Sequence, residues 1–152
     1  MIRHELHTDI EIDAAPRQVW DILTDFASYP EWNPFIRFVR GSPRVGERLK
    51  VGIQPPGARG MTFRPRVLVA EAGRELRWRG RLLLPGIFDG VHRFAIEPRT
   101  AANVLFRHSE AFSGILVPLS RASLDRDTKR GFEEMNLALK QRAEAAAATP
   151  DQ

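Results

Sequence analysis

The sequence contains no cysteine. That excludes a disulfide scaffold, thiol catalysis, and zinc or iron–sulfur sites of the usual thiolate kind, and it suits a reducing compartment. Long apolar runs are also missing. Nothing approaches the roughly 20 residues that cross a bilayer, and the opening MIRHELHTDI has no apolar stretch like that of a secretory signal. The expectations are a cytoplasmic location and no integral membrane segment. There is no internal repeat, no nucleophile motif, no phosphate-cradling glycine loop and no dinucleotide fingerprint; GARG (57–60) and GVHRF (90–94) are not such motifs. No cofactor is expected. A block of basic residues is lacking too. The net charge is +4, but the arginines are spread along the chain, so contact with nucleic acid or anionic lipid is permitted rather than demanded.

What is present is enough for one ordinary domain. The chain has 152 residues, 43% of them hydrophobic, sufficient for a sizeable core; the expected domain is 1–152, with its core at about 5–147. The stretch that organises it is Pro16 to Phe35, PRQVWDILTDFASYPEWNPF. Pro16 suits a first helical turn, where its missing N–H costs nothing. Val19, Trp20, Ile22, Leu23 and Phe26 recur at helical spacing. The helix should stop near Phe26 or Ala27, because Tyr29 precedes Pro30 and is steered away from the α region. YPEWNPF (29–35) is too apolar for a solvated loop and too proline-rich for a helix or central strand. It is expected to lie stiffly over a core or over the mouth of a cavity, with Tyr29 to Phe35 as part of the rim. Asp25, Glu31 and Asn33 around it read as turn and capping groups.

Leu6 to Asp13 alternates like a half-buried strand. After the aromatic stretch, strands are expected at Ile36 to Arg40, around Leu49, Val51 and Ile53, from Met61 to Ala70, from Glu75 to Leu83, from Phe88 to Glu97 and from Asn103 to Phe112, separated by glycine- and proline-bearing turns. Pro65 argues for an edge or a bulge within Met61 to Ala70. Leu116 to about Ala147 is a long helical segment whose Leu124, Phe132, Met135 and Leu139 form an apolar stripe. Consecutive strands with short turns imply an antiparallel sheet, covered by the helices.

APRQVWDIL and DFASYPEWNPF, then RELRWRG, FDGVHRFAIEP, HSEAFSG and DRDTKRGFEEMNLALKQRAE, running from roughly Ile10 to Ala143, resemble the START-like (SRPBCC) superfamily and its small stand-alone bacterial members of the polyketide cyclase/dehydrase type. The resemblance implies an α+β helix-grip fold: a curved antiparallel sheet wrapped around a long C-terminal helix, with a hydrophobic cavity between them. Lipid carriers, aromatase/cyclases, hormone receptors and cochaperone-like proteins share the superfamily, so the fold does not name the activity.

Strand parity gives the cavity wall its candidates. With turns at Pro85-Gly86 and near Thr100, Trp78 faces His92, His92 faces His108, and Glu110 follows on the same side, among Leu76, Phe94, Phe106 and Phe112. A two-residue slip would keep the facing and change the neighbours. A carboxylate on an apolar wall must be paired, hydrated or protonated. Three readings of His92, His108 and Glu110 follow: a structural network, a polar anchor for a mostly apolar ligand, or acid–base chemistry with a histidine moving the proton. No ligand spacing such as HExxH supports a metal.

The sequence therefore leads to binding of a small hydrophobic or amphipathic molecule, a lipid or a polyketide-like or aromatic compound. Trp32, Phe35, Trp78, Phe94, Phe106 and Phe112 supply apolar contact, His92, His108 and Glu110 the polar anchor, and Met135 and Leu139 close the cavity from the helix. The first alternative is a cyclase- or dehydratase-type lyase that uses His92, His108 and Glu110 catalytically. The other is a protein-interaction module working through the outer sheet face, where Arg64, Arg66, Arg77, Arg79, Arg81, Arg93 and Arg107 collect. On that face either acidic neighbours such as Glu75, Asp89 and Glu97 interleave or an anionic partner binds. A nucleic acid is not expected, since the face lacks exposed aromatics; a homodimer is permitted.

Overall fold

In the computed structural model, which describes residues 2–82 and 84–149, the alternating strands pair into two antiparallel sheets. β1 (Arg3–Ile12), β8 (Asn103–Ser113), β7 (Phe88–Thr100), β6 (Glu75–Leu82) and β5 (Arg66–Glu71) lie in that order in the larger one. β2 (Ile36–Arg40), β3 (Lys50–Ile53) and β4 (Met61–Phe63) form the smaller. An Arg48–Arg66 bridge joins them, flanked by the backbone bonds Leu49 N–H to Pro65 O (2.8 Å) and Val67 N–H to Glu47 O (2.9 Å). The wall is therefore continuous and curved. Its concave face takes α4 (Lys129–Ala148), which buries Phe132, Met135, Leu139 and Ala143. This is the helix-grip α+β fold.

The segment 16–35 departs from expectation. α1 (Pro16–Thr24) is followed by a 3-10 turn (Phe26–Ser28) and a short helix, α2 (Tyr29–Trp32). Tyr29 keeps helical angles (φ −53°, ψ −41°) despite preceding Pro30. Its ring is fully buried, and its hydroxyl donates to the Leu23 carbonyl. Burial of the whole ring outweighs the local steric preference, and Pro30 sits in the first turn, where it is tolerated. Tyr29 is thus core rather than rim. Asn33 is the turn group it was expected to be: fully buried, its Oδ1 accepts from the Phe35 and Ile36 amides (3.0 and 2.8 Å) and launches β2. Asp25 accepts from the Ser28 hydroxyl at 2.6 Å. Glu31 instead pairs with Arg142 at 2.9 Å.

Two further expectations change. Met61 to Ala70 is not one strand; the chain breaks at Arg64-Pro65 and switches sheets, β4 pairing β3 and β5 pairing β6, while both pieces take the edge position that Pro65 argued for. Pro65 has no amide to donate, so neither ladder passes through it. The terminal helical segment begins with α3 (Val117–Ser123) and passes through one π-helical turn (Leu124–Thr128) before α4. Within the expected Glu75–Leu83 strand, Leu83 lies outside the described residues.

On the convex face Arg77 stands opposite Arg93, as parity requires, but Arg107 is opposite Ala95 instead of Arg93. The acidic neighbours interleave: Glu75 bridges Arg77 (2.6 Å) and Arg93 (2.8 Å), and Glu97 pairs with Arg107 (2.9 Å). Arg107 holds the Glu97 carboxyl below its ordinary range.

A glycine sets how closely α4 grips the wall. Gly131 is buried, and a Cβ added there would run into the Phe35 ring. Alanine is favoured over glycine in a helix by about 1 kcal/mol, whereas overpacking a filled core costs roughly 1–3 kcal/mol. Gly131→Ala is expected to lower stability by about 1 kcal/mol in urea denaturation, and Phe35→Leu in the same chain to recover part of it. An alanine variant more stable than its parent would show that the ring has room to yield.

Candidate functional site

A cavity of about 300 Å³ opens between the sheets and the α3–π-turn segment. Its floor comes from inward-facing positions of three neighbouring strands: Trp78 and Gly80 on β6, Phe88, Gly90 and His92 on β7, and Glu110 and Phe112 on β8. Gly80 and Gly90 are cross-strand partners. At Gly90 a side chain would strike the Glu110 carboxylate, and at Gly80 the Phe63 ring. Two adjacent positions without side chains thus leave the volume that larger residues would fill. Phe35, Ile36, Ile53 and Phe63 close one side; Leu116, Ser120, Leu124 and Thr128 close the other.

Of the residues expected at the site, Phe35, Trp78, His92, Glu110 and Phe112 line this cavity. Phe94, Phe106, Met135 and Leu139 are buried in the packed core behind it, and Trp32 packs against that core while remaining half-buried. His108 is also behind the wall, fully buried. The register explains why. Trp78 does face His92, but His92 faces Glu110 and His108 faces Phe94. The β7–β8 turn is centred on Ala101-Ala102, with an irregularity between Pro98 and Thr100. That moves the pairing two residues from a turn at Thr100, keeping the face and changing the neighbours.

The polar groups form one chain of hydrogen bonds. Glu110 Oε1 lies 3.2 Å from His92 Nδ1, and His92 Nε2 lies 2.6 Å from His108 Nε2. His108 Nδ1 lies 2.9 Å from Asn136 Oδ1, Asn136 Nδ2 donates to Thr8 Oγ1 at 2.9 Å, and Thr8 Oγ1 donates to the His108 carbonyl at 2.7 Å. The carbonyl fixes the direction of the chain. It can only accept, so the Thr8 hydroxyl spends its hydrogen there and must accept from Asn136. The Asn136 amide nitrogen is thereby turned to Thr8 and its oxygen to His108, so His108 carries its proton on Nδ1.

His108 stacks on the Phe132 ring at 4.0 Å and 9°. Burial, and after it the proximity of His92, drives its pKa well below the ordinary histidine value, against the opposing Asn136 bond. It is therefore neutral, its Nε2 is bare, and His92 Nε2–H donates to it. At the open end, the Glu110 side chain is 15% exposed against 4% for His92, so the chain meets the cavity at the carboxylate. Trp78 packs beside His92 with ring centroids 5.5 Å apart, and its indole N–H has no partner among the described residues.

Thr8 and Asn136 were not singled out from the sequence, though both left a signal. Thr8 shares the inward parity of Leu6, Ile10 and Ile12. Asn136 occupies the i+4 position after Phe132 within the apolar stripe, where a polar residue needs a partner. Among the described residues no three His, Asp or Glu side chains are grouped as metal donors, and no helix is long and apolar enough to cross a membrane.

The fold is shared with solved structures at low sequence identity. The di-domain aromatase/cyclase StfQ of the steffimycin biosynthetic pathway superposes with a TM-score of 0.78 at 14% identity, over 97% of this chain and 53% of that one, so the chain spans about half its length. The Zhui aromatase/cyclase from Streptomyces sp. R1128 gives 0.76 at 14% identity, covering 94% of each chain. A START superfamily protein from Mycobacterium smegmatis gives 0.74 at 19%, over 94% of this chain and 99% of that one. A search of curated protein sequences gives no match. The sequence itself matches the family described as polyketide cyclase/dehydrase and lipid transport over residues 3–144; with nearly the whole chain inside that match and the helix-grip fold to go with it, the protein belongs to this family.

Proposed function

We propose that the protein binds one small, mostly apolar molecule with a single hydrogen-bonding end in the cavity between sheet and helix. The observation that carries this reading is the composition of the wall: aromatic and aliphatic side chains throughout the floor, with the Glu110–His92 pair as its buried polar feature. Ligand sites are typically apolar with a few placed polar groups. The volume of about 300 Å³ is at the small end of the roughly 300–1,000 Å³ range of such sites. It suits a compound of one to three rings rather than a two-chain lipid. Met61 and Leu82, both exposed, line the cavity together with Arg59 and Arg81, and the exposed apolar pair favours entry of a mostly apolar molecule.

Native mass spectrometry of freshly purified protein, compared with its denatured mass, tests the reading. A discrete excess mass that vanishes on denaturation is expected, or saturable uptake from a panel of fused-ring aromatics, quinones and fatty acids, with the ring compounds preferred. Ser120→Phe, which places a ring in the opening from α3, should abolish uptake without loss of fold. A clean apo mass with no uptake from the panel would overturn the proposal.

A further inference from the structure

Four titratable side chains line the cavity: Arg59, Arg81, His92 and Glu110. The two deeper ones satisfy each other. Glu110 Oε1 and His92 Nδ1 are 3.2 Å apart, and two acceptors at that distance would repel, so the contact holds a proton. Since His92 already carries a proton on Nε2 toward His108, the pair has no net charge whichever member owns the shared one. The arginines are less fully engaged. Arg59 is exposed and has no acidic partner among the described residues. Arg81 meets Asp89 Oδ1 at 3.9 Å, too far for a hydrogen bond, while Asp89 Oδ2 accepts from the Gly86 amide at 3.1 Å.

The chain explains why two guanidinium groups stand at the opening. Arg81 has outward parity on β6, but β5 begins at Arg66, opposite Arg79. The edge of β6 is therefore unpaired beside Arg81, and the side chain lines the cavity there. Arg59 belongs to the loop between β3 and β4. Gln54 N–H to Phe35 O (2.8 Å) fixes the start of that loop, and Ala58 N–H to Pro55 O (3.1 Å) turns it back. Gly57, at φ +71°, takes the left-handed position the turn needs. Exposure separates the two polar groups by depth: the Arg81 side chain is 44% exposed, against 15% for Glu110 and 4% for His92. The cations are at the mouth and the neutralised pair is at the floor.

We infer that the ligand is an amphipathic carboxylate that enters body first, its ring system against the apolar floor and its carboxylate at the mouth with Arg59 and Arg81. This rests on the ligand-binding reading of the cavity. Charge decides the orientation. A carboxylate carried to the floor would lose its water and stand beside Glu110, whose only nearby cation is already committed to it. At the mouth it keeps part of its hydration and meets guanidinium forks that match its two oxygens. Asp89 offsets part of the Arg81 charge and leaves that of Arg59 whole. A cationic ligand fits neither place, since it must pass the arginines and finds Glu110 neutralised by His92.

The experiment compares three ligands of one shape by titration calorimetry at neutral pH: 2-naphthoate, the neutral 2-naphthamide and the cation of 2-(aminomethyl)naphthalene. Wild type is expected to bind the carboxylate about 10-fold more tightly than the amide, the scale of one charge-assisted hydrogen bond, and the cation more weakly than either. High salt should narrow the gap, because the arginines are exposed. Arg59→Gln/Arg81→Gln should bring the carboxylate down to the amide and leave the amide unchanged. Arg44→Gln/Arg99→Gln, which removes the same charge from residues that do not line the cavity, should keep the preference. Ser120→Phe should abolish binding of carboxylate and amide alike. Equal affinity for the two in wild type overturns the anion site and leaves the cavity reading standing. So does a preference that survives Arg59→Gln/Arg81→Gln, or one lost equally in Arg44→Gln/Arg99→Gln. Carboxylate binding that survives Ser120→Phe overturns it as well, by placing the anion on the outer surface. Absence of saturable binding by all three ligands overturns it together with the cavity reading beneath it.

Discussion

As pH falls from 8 to 4.5 the protein is expected to lose stability through His108, the loss beginning near pH 6.5 and running at up to about 1.4 kcal/mol per unit below it. His108 is fully buried, and burial keeps its folded-state pKa well below the ordinary value of 6.5. The unfolded chain binds a proton at this residue once the pH falls below about 6.5, while the folded chain does not. The unfolded state then holds more protons, so stability decreases as pH falls, by up to about 1.4 kcal/mol per unit, until the depressed folded value is reached. The salt-bridged Glu97 and Glu144 carboxyls also have lowered values; their contribution has the same sign, but it enters only below about pH 4.5 and is screened at the surface. Urea denaturation at pH 8, 6.5, 5.5 and 4.5 measures the slope. In His108→Gln, which keeps a polar group toward Asn136 and cannot titrate, the curve normalised to pH 8 should be nearly flat down to pH 5. Parallel slopes in the two proteins would remove His108 as the origin.

That acid-sensitive residue shows where sequence reasoning reached and where it stopped. Parity alone put His92, His108 and Glu110 on the inner face, because side chains alternate with a period of two and any even slip preserves the facing. The strand run and the long terminal helix implied an antiparallel sheet covered by helices; the helix-grip arrangement was implied by the resemblance of the motifs between Ile10 and Ala143 to the START-like superfamily. What parity could not supply was the depth of each residue along the curved sheet. His92 and Glu110 stand where the wall meets the cavity, whereas His108 stands where Phe132 covers it. The difference is set by a two-residue shift in the β7–β8 turn and by the approach of α4, both tertiary facts. Phe94, Phe106, Met135 and Leu139 were likewise on the correct face but too deep to touch a ligand. Gly80 and Gly90, which leave the cavity open, read in sequence only as weak strand residues. Tyr29 failed for the opposite reason: a local rule about residues before proline was overridden by the burial of one aromatic ring.

The residue on which both the core and the polar chain depend is Phe132. Its side chain is fully buried, packed edge-on against Phe35 at 5.5 Å and stacked on His108 at 4.0 Å. Phe132→Ala is expected to cost about 3–5 kcal/mol, a large part of the roughly 5–15 kcal/mol that holds a domain folded. The void would lie against the His108 ring, whose nitrogens are polar, so water should enter it. A hydrated His108 loses the burial that keeps it neutral, and the folded state then accepts the proton that the parent refuses. Destabilisation should accordingly be greatest at pH 8 and smaller at pH 5, since the parent pays for acidification and the variant pays less. Phe132→Leu, which keeps apolar cover over the ring, should cost less and leave the acid slope as in the parent. Urea denaturation of the three proteins at both pH values decides the point: a Phe132→Ala deficit that is the same at pH 5 as at pH 8 would show that something other than this ring keeps His108 dry.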